Sequence, residues 1–334
     1  MSLSFDILGT AGHDNALLVR VDTGHSVDRL LFDCGDGCLD SVAFGEMIDI
    51  DHVLFSHLHM DHVSGFGQFF RSNLNRVTKA NRLWGPPETS RILQHRFQGY
   101  LWNLHDAMDA PWHVSDIYPD QVRTTRFELQ EAFAVAHNEG CVSYQRTIID
   151  APAYHVDAIT MDHHTPVIAY VVREKAKHNI DPARLEKSGL PPGPWMQRLK
   201  DIRHPDDEIA IQGANFSLEI LRRELLIETP GDSVAYLTDF LLDERAMDRL
   251  AEFLQGCDTV VCEGQYRHAD LELAHRHFHM TTVLSAQLAK RVAARRLILI
   301  HLSRRYQEPE WLEMLREARE WFPAAEFPPG WEMG

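Results

Sequence analysis

The sequence predicts an α/β fold in which buried strands carry a polar site at their ends. Three observations predict it. Short apolar runs at 53–55, 167–172, 234–237 and 296–300 have the length of buried strands. Stretches with helical character alternate with them. Side chains of metal-ligand type stand directly after such runs at His57, Asp239, Glu263 and His301, with His163 in a loop just past another. Ligand-type residues at successive strand ends converge on one edge of a sheet, which is how α/β folds build sites.

Taken in order, residues 3–8 read as a first strand ended by Gly9 and Gly12, and 16–21 and 30–32 as two more with a hairpin around Gly24. The DCGDG turn at 33–37 is rich in carboxylate, and Cys34 and Cys38 read as buried thiols beside it. Residues 39–47 form a short helix leading to the strand at 53–55. A helix is expected from His62 to about Asn81, and another over 88–98 after Gly85-Pro86-Pro87. Strands follow at 122–129 and 132–136; Asn138, Glu139 and Gly140 then fit a hairpin turn, with His137 structural or an outer partner of a site. Between the strands at 154–160 and 167–172, His163 and His164 are adjacent, so at most one faces a metal. Later, 217–227 has regular structure, 234–237 ends in Thr238-Asp239, 245–253 is helical, and the strand at 259–262 stops at Glu263. An amphipathic helix over 282–294, capped by Thr281 or Thr282, precedes the strand at 296–300 and a last helix near 309–321.

The 334 residues can bury a large core, and 44% apolar with 25% charged residues is ordinary for a globular protein. The opening MSLSFDILGT carries no signal-peptide pattern, and no apolar stretch has the length of a membrane span. Five cysteines without a CxxC pair fit a reducing cytoplasm and argue against a structural zinc knuckle. A net charge of −16 repels phosphate backbones, so a nucleic-acid substrate would need a local basic patch. Residues 173–204 supply eight Lys or Arg against four acids, around a stiff GLPPGP centre that no helix or sheet accommodates. This stretch is either a solvated connector or an arm that lends basic surface to an acidic protein.

The densest signal is DHVLFSHLHMDHVSG at 51–65. His57, His59, Asp61 and His62 stand at i, i+2, i+4 and i+5 after an apolar strand. Imidazole and carboxylate suit zinc, manganese or iron, and this spacing in a tight loop can serve two adjacent metals. Metal-dependent hydrolysis is the chemistry it points to.

With these residues laid out, the chain resembles the metallo-β-lactamase-fold hydrolases and, within them, the ribonuclease Z family of tRNA 3′-processing endonucleases. SHLHMDH matches the HxHxDH signature, and HHTPVIAY resembles the block in which a ligand His stands seven residues before a Tyr, which selects His163. Thr238-Asp239 falls where the family has a bridging Asp, and HLSRRY resembles the segment holding the last ligand, His301. CEGQY and HMT match a Glu and a His linked to proton transfer, here Glu263 and His279. LEKSGLPPGPWMQRLK resembles the arm that grips the tRNA body, which implies substrate contacts at Arg184, Lys187, Gly189, Pro191, Pro192, Gly193, Pro194, Arg198 and Lys200.

The resemblance covers nearly the whole chain and implies one four-layer αββα domain over 1–334 with an inserted, protruding arm at 173–205. It further implies two Zn2+ per chain, or Mn2+ or Fe2+: one metal on His57, His59 and His163, the other on Asp61, His62 and His301, with Asp239 bridging. A hydroxide held between the metals would attack, oriented by Asp61, while His279 paired with Glu263 serves the leaving oxygen. A cytoplasmic homodimer acting on a tRNA precursor is the expectation, with the arm reaching a partner's site. A small-molecule hydrolase of lactones, thioesters or cyclic phosphodiesters, and a non-enzymatic metal-binding scaffold, fit the same ligands. The chain departs from the family at GFGQFF after the first ligand block, in the AGHDNALL turn, at Ala169, and in the Trp- and His-rich stretch 73–120, and several of these departures are expected to touch the cleft walls.

Overall fold

The computed structural model describes residues 2–24, 26–103, 107–200 and 208–331. The chain divides into two compact units, Met1–Arg173 with Asp232–Gly334, and Glu174–Gly231.

In the larger unit, antiparallel pairing joins β1 (Ser2–Gly9), β2 (Asn15–Asp22) and β3 (Val27–Phe32). A parallel run continues through β4 (His52–Leu54), β5 (Asn81–Gly85) and β6 (Pro111–Ile117). Strands β7 (Gln121–Glu128) and β8 (His137–Ser143) return antiparallel and complete an eight-stranded sheet in chain order. Next come β9 (Thr147–Asp150), β10 (Tyr154–Asp162) and β11 (Pro166–Glu174). The smaller unit contributes β12 (Lys177–Ile180), β13 (Glu208–Ile211), β14 (Ala214–Ser217) and β15 (Leu226–Thr229). Strands β16 (Ser233–Leu237), β17 (Thr259–Glu263), β18 (Arg296–Ile300) and β19 (Ala325–Glu326) then build a seven-stranded sheet ordered β19-β18-β17-β16-β11-β10-β9. Its β16–β19 stretch is parallel, and parallel strands covered on both faces need the near-continuous apolar runs seen in SVAYL, TVVCE and RLILI.

Period-two alternation stacks the layers. Leu17, Val19, Leu30 and Phe32 of the first sheet share one core with Val156, Ile168, Tyr170, Tyr236 and Ile298 of the second. Their neighbours Ala16, Leu18, Leu31 and Val53 turn to the other face, against helices Phe66–Asn73 and Thr89–Phe97. Helices Glu244–Phe253, Thr282–Arg291 and Glu308–Trp321 cover the outer face of the second sheet. This is the expected αββα layering.

Local expectations fail at four places. The helix expected from His62 to Asn81 is instead two short helices, Met60–Val63 and Phe66–Asn73, followed by β5. NRLWG has too few apolar residues to signal a strand; its lateral pairing with β4 and β6 makes it one. Residues 132–136 form no strand, because Ala132 and Phe133 take left-handed backbone at φ +52° and +57°. Asn138–Gly140 lie within β8 rather than in a hairpin turn, at a register shift opposite Thr124 and Thr125. Of residues 39–47, only Phe44–Met47 are helical.

The GFGQFF stretch packs inward. Phe66, Phe69 and Phe70 are buried with Phe97, Trp112 and Phe133 on the helix side of the first sheet. Phe70 lies 5.0 Å from both Phe97 and Trp112, and Phe97 4.9 Å from Phe133, between ring centroids. Two of the stretches that depart from the family therefore share one core.

The smaller unit extends beyond the 173–205 stretch to Gly231. Two two-stranded sheets, β12-β15 and β13-β14, surround a modest core of Trp195, Leu199, Ile209, Ile211, Leu218 and Leu221. Helix Pro182–Ser188 is capped by Asp181, whose carboxylate accepts from the Ala183 and Arg184 amides, and it ends at Gly189 with φ +70°. Pro191 and Pro192 face Ile209–Gln212 across an open groove of about 430 Å³, and Trp195 donates to the Pro191 carbonyl at 2.9 Å. Asp201, Arg203 and His204 lie outside the described residues. Among the described residues no helix is long and apolar enough to cross a membrane.

Candidate active site

The site begins as a backbone contact between two turns. The Cys34 amide donates to the His62 carbonyl at 2.8 Å, and the Gly65 amide donates back to the Cys34 carbonyl at 2.9 Å. A Cβ on Gly65 would lie 2.2 Å from the Gly35 carbonyl oxygen, so only glycine allows the approach. This clamps the turn after β3 against the loop after β4.

The sequence-predicted ligands fall into two groups joined by one carboxylate. Ligand atoms of His57, His59 and His163 all lie within 4.8 Å of one another, as do those of Asp61, His62, Asp239 and His301. Asp239 Oδ2 stands 3.8 Å from His57 Nε2 and 3.3 Å from His62 Nε2, while its Oδ1 is 3.3 Å from His301 Nδ1. Asp61, the most open of these carboxylates with its side chain 44% exposed, reaches His301 Nε2 at 3.4 Å. Glu263 accepts from His279 Nδ1 at 2.8 Å and from the Met280 amide at 3.0 Å. His279 lies 4.0 Å from Asp239, and a third group joins Asp239, Glu263, His279 and His301.

These residues fit divalent metal. The buried Nε2 of His62 makes no hydrogen bond although two carboxylates stand within 3.6 Å, and His57 Nε2 meets His59 Nδ1 at 3.0 Å. Convergent imidazole nitrogens and carboxylate oxygens are a metal donor set.

At Asp239, His279 and His301 the surroundings favour the charged form. Burial opposes charge on Asp239, but His301 and His62 hold its carboxyl well below the usual range. Burial would also lower His279, yet Glu263 and then Asp239 raise it. The same contest lifts His301 to about 10, with Asp239 and Asp61 opposing burial. His57 goes the other way, pushed down to about 2 by burial with His62 beside it.

Sequence reasoning missed the residues that orient this set. Asp33, a buried carboxylate after β3, pairs with His62 Nδ1 at 2.8 Å and accepts from the Ser56 amide, the Ser56 hydroxyl and the Tyr236 hydroxyl. A carboxylate behind an imidazole fixes its tautomer and aims the other nitrogen. The Phe278 carbonyl does this for His163 Nδ1 at 2.8 Å. Asn15 Oδ1 accepts the His301 amide at 2.9 Å, its own amide group being held by Thr10 and Asp14 carbonyls. Asp33, Asp239, His301, His164 and Phe278 all take positive φ, between +54° and +59°. Each such residue costs about 1–2 kcal/mol, and strain of this kind collects at functional sites. Carboxylate in the DCGDG turn was the available signal for Asp33; Asn15 lies in the AGHDNALL turn, which stood out only as a departure from the family.

His137 stands on β8 with Nε2 2.6 Å from Glu131, in none of these groups. Arg184, Lys187, Gly189, Pro191–Pro194, Arg198 and Lys200 belong to the smaller unit, where the four basic side chains are exposed.

Layered mixed sheets with a His- and carboxylate-lined strand-end site define a metal-dependent hydrolase of the β-lactamase superfamily, and the chain matches the Beta-lactamase superfamily domain over residues 28–180 and 224–302. It is 48% identical over 332 residues to ribonuclease Z of Deinococcus radiodurans, covering 99% of each chain. Ribonuclease Z of Brevibacillus brevis is 28% identical over 89% of this chain and 83% of its own. The chain belongs to the ribonuclease Z family. Among solved structures, the metallo-β-lactamase fold protein YhfI of Bacillus subtilis superposes with TM-score 0.56 at 14% identity, over 98% of this chain and 96% of that one. The short form of human tRNase Z superposes with TM-score 0.52 at 17% identity, over 91% and 93%. At those identities the likeness is one of fold.

Proposed function

We propose that this protein is an endoribonuclease that removes the 3′ trailer of tRNA precursors. The observation that carries the reading is near-half identity to a ribonuclease Z across 99% of both chains.

His57, His59 and His163 would hold one divalent ion and Asp61, His62 and His301 a second, with Asp239 between them. The ions, zinc, manganese or iron by donor chemistry, supply Lewis acidity that activates water and neutralises charge on the phosphate. Asp33 and the Phe278 carbonyl keep His62 and His163 in fixed tautomers. Asp61, open at the mouth, orients the attacking water. His279 holds its proton through the Glu263 contact and delivers it to the leaving oxygen; Nδ1 is committed to Glu263, which leaves Nε2 to serve the substrate. The exposed Arg184, Lys187, Arg198 and Lys200 beside the GLPPGP turn give the tRNA body a basic surface.

Metal analysis of the purified protein followed by incubation with a trailer-bearing pre-tRNA tests this. Two divalent ions per chain and a product shortened by its trailer are expected. Intact pre-tRNA alongside hydrolysis of bis-p-nitrophenyl phosphate would leave a hydrolase of another substrate class.

A further inference from the structure

Two residues beside the site take left-handed backbone without serving as ligands: His164 and Phe278, both at φ +56°. Phenylalanine gains nothing locally from that conformation, so at Phe278 the surroundings impose it. The effect is to bring together rings from two distant loops, with centroids 3.6 Å apart and planes at 41°. One ring lies between β10 and β11, the other just before the helix Thr282–Arg291. Each adjoins a site residue in sequence, His163 and His279, and the His163–Phe278 hydrogen bond ties the pair to the site through backbone. His164 is exposed and Phe278 only half-buried, so a core role does not account for the pair. The pair thus offers aromatic surface to solvent, and it adjoins His163, whose ring centroid lies 5.2 Å from that of the exposed His59.

We propose that His164 and Phe278 form a stacking shelf for the nucleobase that flanks the scissile phosphodiester. The inference rests on the endoribonuclease reading above. Every base has a π face, so such a shelf grips without reading sequence, and it holds a large purine better than a pyrimidine. It fixes the flanking nucleotide so that the phosphate sits over the site in one pose.

The test uses the metal-loaded full chain and pre-tRNAs in which the nucleotide on each side of the scissile phosphate carries, in turn, adenine, uracil or no base. For the unaltered protein, kcat/KM should fall about tenfold from adenine to abasic at one of the two positions, with uracil between. His164→Gly and Phe278→Gly remove the rings while glycine keeps the left-handed backbone, and with it the Phe278 carbonyl. In either variant the adenine-to-abasic ratio should shrink to less than about twofold, because ring and base form one interaction in a double-mutant cycle. His164→Phe should keep the ratio. A reading without turnover uses 2-aminopurine at that position in a non-cleavable analogue, whose fluorescence the unaltered protein should quench and Phe278→Gly should not. A ratio that survives in both glycine variants while the RNA is still cut overturns the shelf alone. Loss of the ratio in His164→Phe also overturns it, since the imidazole would then be acting through its nitrogens. Failure to cut any pre-tRNA, with bis-p-nitrophenyl phosphate still hydrolysed, overturns the nuclease reading and the shelf with it.

Discussion

Between Glu174 and Gly231 nine Lys or Arg stand against ten Asp or Glu, while the rest of the chain carries 24 against 39. The larger unit, net −15 by that count, places three acids of its site inside: Asp33, Asp239 and Glu263 are buried and each is held by histidine. The smaller unit, net −1, keeps Arg184, Lys187, Arg198 and Lys200 on its surface. Buried, mutually held charge is costly to disturb, because removing one partner strands the other without solvent. Exposed charge is screened and responds to salt. Hydrolysis should therefore fail abruptly when a buried partner is removed, whereas any binding that uses the exposed charges should respond gradually to salt.

The strongest way to break that contrast is Asp239→Ala. Losing the carboxylate shared by both ligand groups should lower hydrolysis of bis-p-nitrophenyl phosphate by about a thousand-fold, several kcal/mol of barrier, and reduce metal content. Full metal loading and a loss under tenfold would remove Asp239 from its central place. Next comes Asp33→Asn, which keeps the shape but withdraws the charge behind His62. Metal affinity, followed by chelator competition, should drop about 10–100-fold with the fold intact by circular dichroism.

On the smaller unit the expected loss is milder and substrate-selective. Removing Pro191–Pro194 should raise KM for pre-tRNA about tenfold more than it affects the small phosphodiester. Arg198→Ala should flatten the salt dependence of RNA binding by about one unit of log–log slope. Equal losses on both substrates would mean that the turn serves the chemistry instead.

The smallest effect concerns stability. Burial pushes His52 down to about 4, and Trp84 donates to its Nδ1 at 2.9 Å, which requires the neutral ring. An unfolded-state histidine near 6.5 binds the proton more readily. Stability is thus fully present above about pH 6.5 and drains away as pH falls toward 4, by at most about 3 kcal/mol. His52→Asn should show a shallower decline in Tm between pH 7 and pH 5 than the unaltered protein. Parallel curves would exclude His52 as the titrating group.

Much of this was legible in the sequence because strand ends in a parallel sheet are written as apolar runs followed by a polar residue. His57, Asp239, Glu263 and His301 each follow that rule, and the fold brings them together. Asp33 was visible as a carboxylate in a turn, but its partner His62 lies 29 residues away and is reached only through the β3–β4 register. Asn15 is further still, 286 residues from the backbone it holds. Strands β5 and β6 escaped because internal parallel strands are made by their neighbours more than by their own pattern. β8 escaped because its Gly140, at φ +118° beside a register shift, reads as a turn.

The packing of Phe66, Phe69 and Phe70 on Phe97, Trp112 and Phe133 bears on how this chain can be re-engineered or can drift. Each stretch supplies the volume that the other needs. Replacing GFGQFF with a segment lacking the aromatic rings would leave Trp112 and Phe97 facing a void, and replacing 73–120 alone would strand three phenylalanines. A transplant of either stretch by itself should come out insoluble, whereas exchanging both together should fold. In volume the two segments are one part of the core divided between two stretches of sequence.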